Sequence, residues 1–186
     1  MNKKFNSPVG LNPLGVGPKI IRSMLPFLLL GIIAGYFFPA VTSIPLYNEH
    51  ILKPAGWILL ILGILAYAAA IVQFIMGFKK GKLITNGVYS LSRNPIYSSW
   101  IMFILPGLAM AADNWVFLSG DIVMYISLLV NIKSEEMELE RIFGETYLRY
   151  QYEVNRVFFI PRFKKYLRSP ARRRSGAPKF PQQPGS

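Results

Sequence analysis

Pro54 to Phe78 is a run of 25 residues in which Gln73 is the only strongly polar member. A stretch this long and this apolar spans a bilayer as a helix, because only a helix satisfies its own backbone in lipid. Met24 to Val41 adds an uncharged run of 18 residues. Ile96 to Ala112 and Trp115 to Ile132 are apolar again, each about the minimum length for a span. Asp113-Asn114 between them reads as a tight turn, so these last two form a short helical hairpin. The fold class is therefore an all-α integral membrane protein with about four transmembrane helices. A signal peptide competes for the first span, but the leader is long and no small-x-small cleavage site follows it.

The polar segments organise the rest. Residues 1–22 are a polar, basic arm, residues 23–163 the membrane domain, and residues 164–186 a disordered basic tail rich in Pro. Seven of the 21 basic residues lie in that tail, which has no acid; the other 14 face 9 acidic residues, so the net charge of +12 falls to +5 without it. Attraction to anionic lipid headgroups is the natural reading of the tail, and no nucleic-acid partner is expected. Lys3, Lys4, Lys19 and Arg22 precede span one, and Lys79, Lys80, Lys82 and Arg93 follow span two. All basic segments then fall on one side, which puts both termini in the cytoplasm. With no Cys and His50 as the sole His, thiolate chemistry and a multi-His metal site are excluded. Ala66 and Ala70 form a small-xxx-small pair suited to helix packing. Asp121, near the Asp-Asn turn, is expected to face interfacial water.

Lys133 to about Tyr152 reads as a cytoplasmic helix. Glu138, Arg141, Glu145, Arg149 and Glu153 form a stripe of alternating sign, the pattern of a solvated face. Glu136 and Glu140 fall on the opposite face with Leu139, Phe143, Tyr147 and Tyr150, by the about 100° helical step. A carboxylate there needs a partner. Either Glu136 pairs with Lys133 or a loop Arg and locks the helix down, or it holds a cationic or amine-bearing ligand. Glu135 lies between the two faces. On the loop after span two, Asn94-Pro95 is a turn former that places Arg93 at a rigid corner, where its planar fork suits a carboxylate or phosphate. Tyr89, Tyr97 and Trp100 also suit plain interfacial anchoring.

The order Gly87-x-Tyr89, Arg93-Asn94-Pro95-x-Tyr97, a hydrophobic hairpin, Glu135-Glu136 and Phe143-Gly144-x-x-Tyr147-x-x-Tyr150 resembles the isoprenylcysteine carboxyl methyltransferases and the related phospholipid methyltransferases. The likeness covers about residues 80–163. It implies a membrane-embedded methyl transfer from S-adenosylmethionine to a lipid or lipid-like substrate with a carboxylate or amine acceptor. By position, Gly87, Tyr89, Asn94, Pro95, Tyr97, Glu135 and Glu136 would hold the cofactor, and Arg93 would orient the acceptor. Asn94 stands where the family usually has His, so any role for a charged imidazole is lost. Two other readings share this architecture: an NADPH-dependent enzyme resembling sterol reductases, and a non-catalytic membrane scaffold.

Overall fold

The computed structural model describes residues 15–45 and 47–159. The first fourteen residues of the arm and the whole basic tail lie outside the described residues. Helix α1 is Gly17–Phe37, followed by a single turn, α2, Pro39–Thr42. Helix α3 is Glu49–Lys80, α4 Pro95–Ala111, α5 Val116–Phe143 and α6 Glu145–Glu153. No strand occurs among the described residues. By length and composition α1, α3 and α5 can each cross a membrane, and α4 is a shorter apolar helix.

The exposed surface confirms the solvent these helices were built for. Ile32, Ile33, Ile58, Ile61, Leu65, Ile122 and Val130 are all more than half exposed. An apolar belt of this kind is stable against acyl chains and not against water. The chain is an integral membrane protein.

The helices pack in a row, with α4 between α3 and α5, and α5 between α4 and α1. In lipid the hydrophobic effect does not drive helices together, so close backbone approach must. Helix α3 supplies it with Gly56, Gly63, Ala70 and Gly77, spaced every seven residues and all buried. A Cβ on Gly56 would stand 2.5 Å from the Ala111 nitrogen and 2.8 Å from the Gly107 carbonyl. Ala70 of the expected Ala66-Ala70 pair belongs to this stripe, while Ala66 is only half-buried. On the other side of α4, Ile101 and Leu105 meet Met124, Leu128 and Ile132 of α5 and Ile20 and Met24 of α1.

Local chemistry explains the ends and breaks. Gly81, in left-handed geometry at φ 59°, closes α3 by donating back to the last turn, beside Lys79 and Lys80 at the negative end of the dipole. In α4, Pro106 cannot donate to the Met102 carbonyl and its ring would crowd it. The preceding turn, Trp100–Ile104, is widened to i→i+5 bonding, which makes the room. Asp113 takes the tight turn at φ 47°, and its carboxylate accepts from the Ile44 N–H at 2.8 Å and the Ser43 hydroxyl at 2.7 Å. Asn114 donates to the Gly31 carbonyl at 2.8 Å, so one turn ties three helices together at this end.

Three details depart from the sequence reading. Helix α1 begins at Gly17, inside the expected arm, and ends at Phe37, because Pro39 opens the separate turn α2. Helix α5 runs unbroken from the membrane past Ile132 to Phe143, because no Gly or Pro lies between those two residues, and the break falls at Gly144, φ 52°. Asp121 does not reach interfacial water with both oxygens: its Oδ1 is buried without a hydrogen-bond partner among the described residues.

The glycine contact in α3 carries a prediction. Gly56→Leu wedges α3 from α4 and costs about 1–3 kcal/mol as an overpacking substitution. The midpoint of thermal unfolding in detergent falls, whereas Ala68→Leu, on the exposed face of the same helix, leaves it in place.

Candidate functional site at the charged end of the bundle

The loop between α3 and α4 is shaped by contacts to both neighbours. Gly87, at φ 59°, starts a short 3-10 turn, and the space a Cβ would need is filled by the Gln73 side chain. The one polar residue of the long apolar run thus buttresses the motif loop. Tyr89 follows, buried, and its carbonyl accepts from the Tyr150 hydroxyl of α6 at 2.7 Å. A segment after α6, Val154 to Phe159, runs back along the loop. The Asn155 carbonyl accepts from the Arg93 N–H at 2.8 Å, and the Arg156 carbonyl accepts from the Asn94 Nδ2 at 2.9 Å and the Ser92 hydroxyl at 3.1 Å.

The two adjacent carboxylates of α5 part company here. Glu136 is buried between two arginines. Arg156 grips it in a fork, Nε to Oε1 at 3.0 Å and Nη2 to Oε2 at 2.5 Å. Arg93 Nη1 lies 2.8 Å from Oε1 as an ion pair, without the alignment of a hydrogen bond. The Arg93 side chain is 7% exposed, and its Nε has no hydrogen-bond partner among the described residues. Of the two sequence readings of Glu136, pairing with a loop Arg is what the geometry displays. Glu135, one helical step round, accepts only a long bond from the Val16 N–H at 3.5 Å. No cation pairs with it among the described residues.

These groups surround a cavity of about 540 Å³. Its walls are the motif loop, the charged end of α5, the start of α1, the end of α3 and the inner face of α6. Of the residues singled out in the sequence, Tyr89, Arg93, Asn94, Pro95, Tyr97, Glu135 and Glu136 all line it. Gly87 does not; it holds the loop against α3. Sequence reasoning missed Arg156, which lies in an extended segment where no helical phase points to a partner. It also missed Gly15 to Lys19, assigned to the polar arm, which close one side of the cavity.

Burial keeps the phenols outside the spans protonated. Tyr89 is pushed above its ordinary value of 10 by desolvation and then by the nearby Glu135. Tyr150 is raised by desolvation, then by Tyr89 and Tyr147, with Arg93 opposing. Tyr147, whose hydroxyl bonds Arg93 and Gln151, is raised by desolvation and then Glu136. All three therefore remain hydrogen-bond donors at neutral pH. The cavity offers a carboxylate without a cation and a guanidinium donor without a partner, both among the described residues, together with neutral phenols, in a wall that mixes apolar side chains with Lys19 and Lys82.

Two predictions follow from this geometry. Glu136→Ala leaves two guanidiniums without their counter-ion and destabilises the fold by about 3 kcal/mol, the low end for a broken buried pair because Arg156 is 38% exposed. Denaturant unfolding of the detergent-solubilised variant measures it. The raised tyrosines give a stability that is complete below pH 10 and declines as pH rises above it, since the folded state then holds protons the unfolded chain releases. Tyr150→Phe shrinks that alkaline loss, at a cost near neutrality of about 1 kcal/mol for its hydrogen bond.

Comparison with known proteins agrees with the arrangement. No curated protein and no solved structure matches the chain. A family model described as phospholipid methyltransferase matches residues 53–146, just over half of the sequence. The match runs from the start of α3 through the motif loop, α4, α5 and Gly144, and so takes in the long apolar helix that carried no resemblance by inspection. The chain belongs to the phospholipid methyltransferase family.

Proposed function

We propose that this protein transfers a methyl group from S-adenosylmethionine to the amine of a phospholipid-like acceptor, in the cavity between the motif loop and α5. One observation carries the reading. Arg93 to Tyr97 and Glu135-Glu136, some forty residues apart, converge on a single cavity at the charged end of the bundle. Its volume of about 540 Å³ is in the range of small-molecule sites, about 300–1,000 Å³.

The cofactor supplies an electrophilic methyl on a sulfonium. The residues present suit such a group. Glu135 is a carboxylate without a cation among the described residues, so a positive charge beside it recovers part of its desolvation cost. Tyr89 and Tyr97 donate neutral hydrogen bonds at the same wall. The amine must be unprotonated when it attacks, and Glu135 is the base placed to take its proton beforehand. Arg93 holds the acceptor's anionic group through the Nε that has no other partner among the described residues. Apolar side chains such as Phe74, Phe78, Leu139 and Phe143 also line the cavity, and alignment is the main demand on the protein.

Lys19 and Arg22 at the start of α1 and Lys79, Lys80 and Lys82 at the end of α3 stand at the cavity's end of the bundle. The positive-inside rule makes that the cytoplasmic side, with both termini there, and the basic tail then meets anionic headgroups.

The test is calorimetric titration of the purified protein in detergent with S-adenosylhomocysteine and, separately, with NADPH. S-adenosylhomocysteine binds, NADPH does not, and Glu135→Gln weakens the former by about tenfold or more. Absence of S-adenosylhomocysteine binding by the wild type sinks the proposal, and NADPH binding revives the reductase reading. Radiolabelled methyl transfer into a lipid extract then identifies the acceptor.

A further inference from the structure

On the far side of Arg93 lies a second, smaller cavity of about 360 Å³. Arg93 lines both, so the two cavities adjoin at this residue. The second cavity is a groove between α5, represented by Tyr125 and Leu129, and the returning segment from Asn155 to Phe158. That segment descends along the membrane helices. Val157 is buried with Leu128 and Ile132, and the Phe159 N–H meets the Met102 sulfur at 3.3 Å. The rings of Tyr125 and Phe158 stand 6.2 Å apart.

The groove is polar at one end and apolar at the other. Leu129 and Tyr125 precede Glu136 on α5 by seven and eleven residues, about 10 Å and 16 Å down the helix axis. Leu129 and Phe158 are 40% and 44% exposed, continuous with the lipid-facing Ile126 and Val130. At the upper end two guanidiniums share one carboxylate, which leaves one positive charge uncompensated within the triad. Arg156 is partly exposed there, and the Arg93 Nε is buried without a partner among the described residues. A half-buried surplus cation above an open apolar channel matches an anion attached to a hydrocarbon chain.

We propose that this groove binds the acceptor phospholipid, its phosphate between Arg93 and Arg156 and one acyl chain along Leu129, Tyr125 and Phe158. That the bound lipid is the methyl acceptor rests on the function proposed above: its headgroup passes Arg93 into the larger cavity while its chain stays in the membrane. The two arginines then select a phosphate, and Glu135 in the larger cavity receives the amine.

The experiment uses the full chain in nanodiscs with a phosphatidylethanolamine probe bearing a photoactivatable diazirine in one acyl chain, the cross-links being located by mass spectrometry. Cross-links fall on Tyr125 to Val130 and on Val157 to Phe159. Excess phosphatidylethanolamine removes them; diacylglycerol and inorganic phosphate do not. Leu129→Trp, which fills the groove from its exposed wall, cuts the labelling by about tenfold and leaves S-adenosylhomocysteine binding unchanged. Should that variant lose S-adenosylhomocysteine binding, Phe158→Ala, which removes the opposite wall, is read in its place. Labelling on other faces, labelling insensitive to the groove variant, or competition by diacylglycerol overturns the proposal. Competition by inorganic phosphate assigns the site to a free anion and also overturns it. Labelling needs neither cofactor nor turnover, so loss of the proposed activity and loss of this site are separately visible.

Discussion

Glu136 is the carboxylate on which the charged end of the molecule depends. It joins three pieces that the sequence separates: α5, the motif loop through Arg93, and the segment after α6 through Arg156. A lone carboxylate at that depth would be costly, as would a lone guanidinium, and each removes the penalty of the other. The backbone bonds from Arg93 and Asn94 to Asn155 and Arg156 hold the same three pieces in register, so ion pairs and main chain agree on one arrangement. Because two cations serve one anion, the arrangement also keeps a residual positive charge, and that charge is available for function.

The helical step between neighbouring residues divides the labour of the Glu pair. Glu136 points toward the arginines and pairs with both. Glu135, about 100° away, points toward the start of α1 and the larger cavity. The apolar face of α5 correctly marks Glu136 as buried, yet burial and access to a ligand are different properties. What separates them is the position of Arg156, twenty residues downstream in an extended segment, and no periodicity reports such a contact. On the proposed reading the less buried-looking of the two acids, Glu135, faces the chemistry.

Elsewhere legibility follows the range of the forces. The spans are set by hydropathy and length, and α3, the α4–α5 hairpin and the Asp113 turn stand where those local signals put them, whereas α1 begins earlier, at Gly17, and ends at Phe37, before Pro39. The every-seventh small residue of α3 is equally present in the sequence, at Gly56, Gly63, Ala70 and Gly77, and the narrower Ala66-Ala70 spacing captures only one member of it. The continuity of α5 is not visible in composition, because the change from apolar to charged residues at Ile132 marks where the apolar span ends, not where the helix does. A helix stops for a backbone reason, and that reason stands at Gly144. The closure of the cavity by Gly15 to Lys19 is a tertiary contact between α1 and α5, and composition alone read those residues as part of an arm.

The position that departs from the family pattern can be weighed in the same terms. The Asn94 side chain donates to the Arg156 carbonyl and thereby helps hold the segment that carries Arg156 against the loop. That bond asks for a neutral donor of the right reach, which an amide provides and which does not titrate near neutral pH. An imidazole at this place would bring the same donor together with a charge that varies with pH, next to a triad already in positive surplus. Within this arrangement, then, the amide fills the structural duty of the position, and on the proposed reading the proton chemistry of a methyl transfer to an amine falls to Glu135. The substitution is therefore weak ground for reading the chain as a scaffold that has lost its activity.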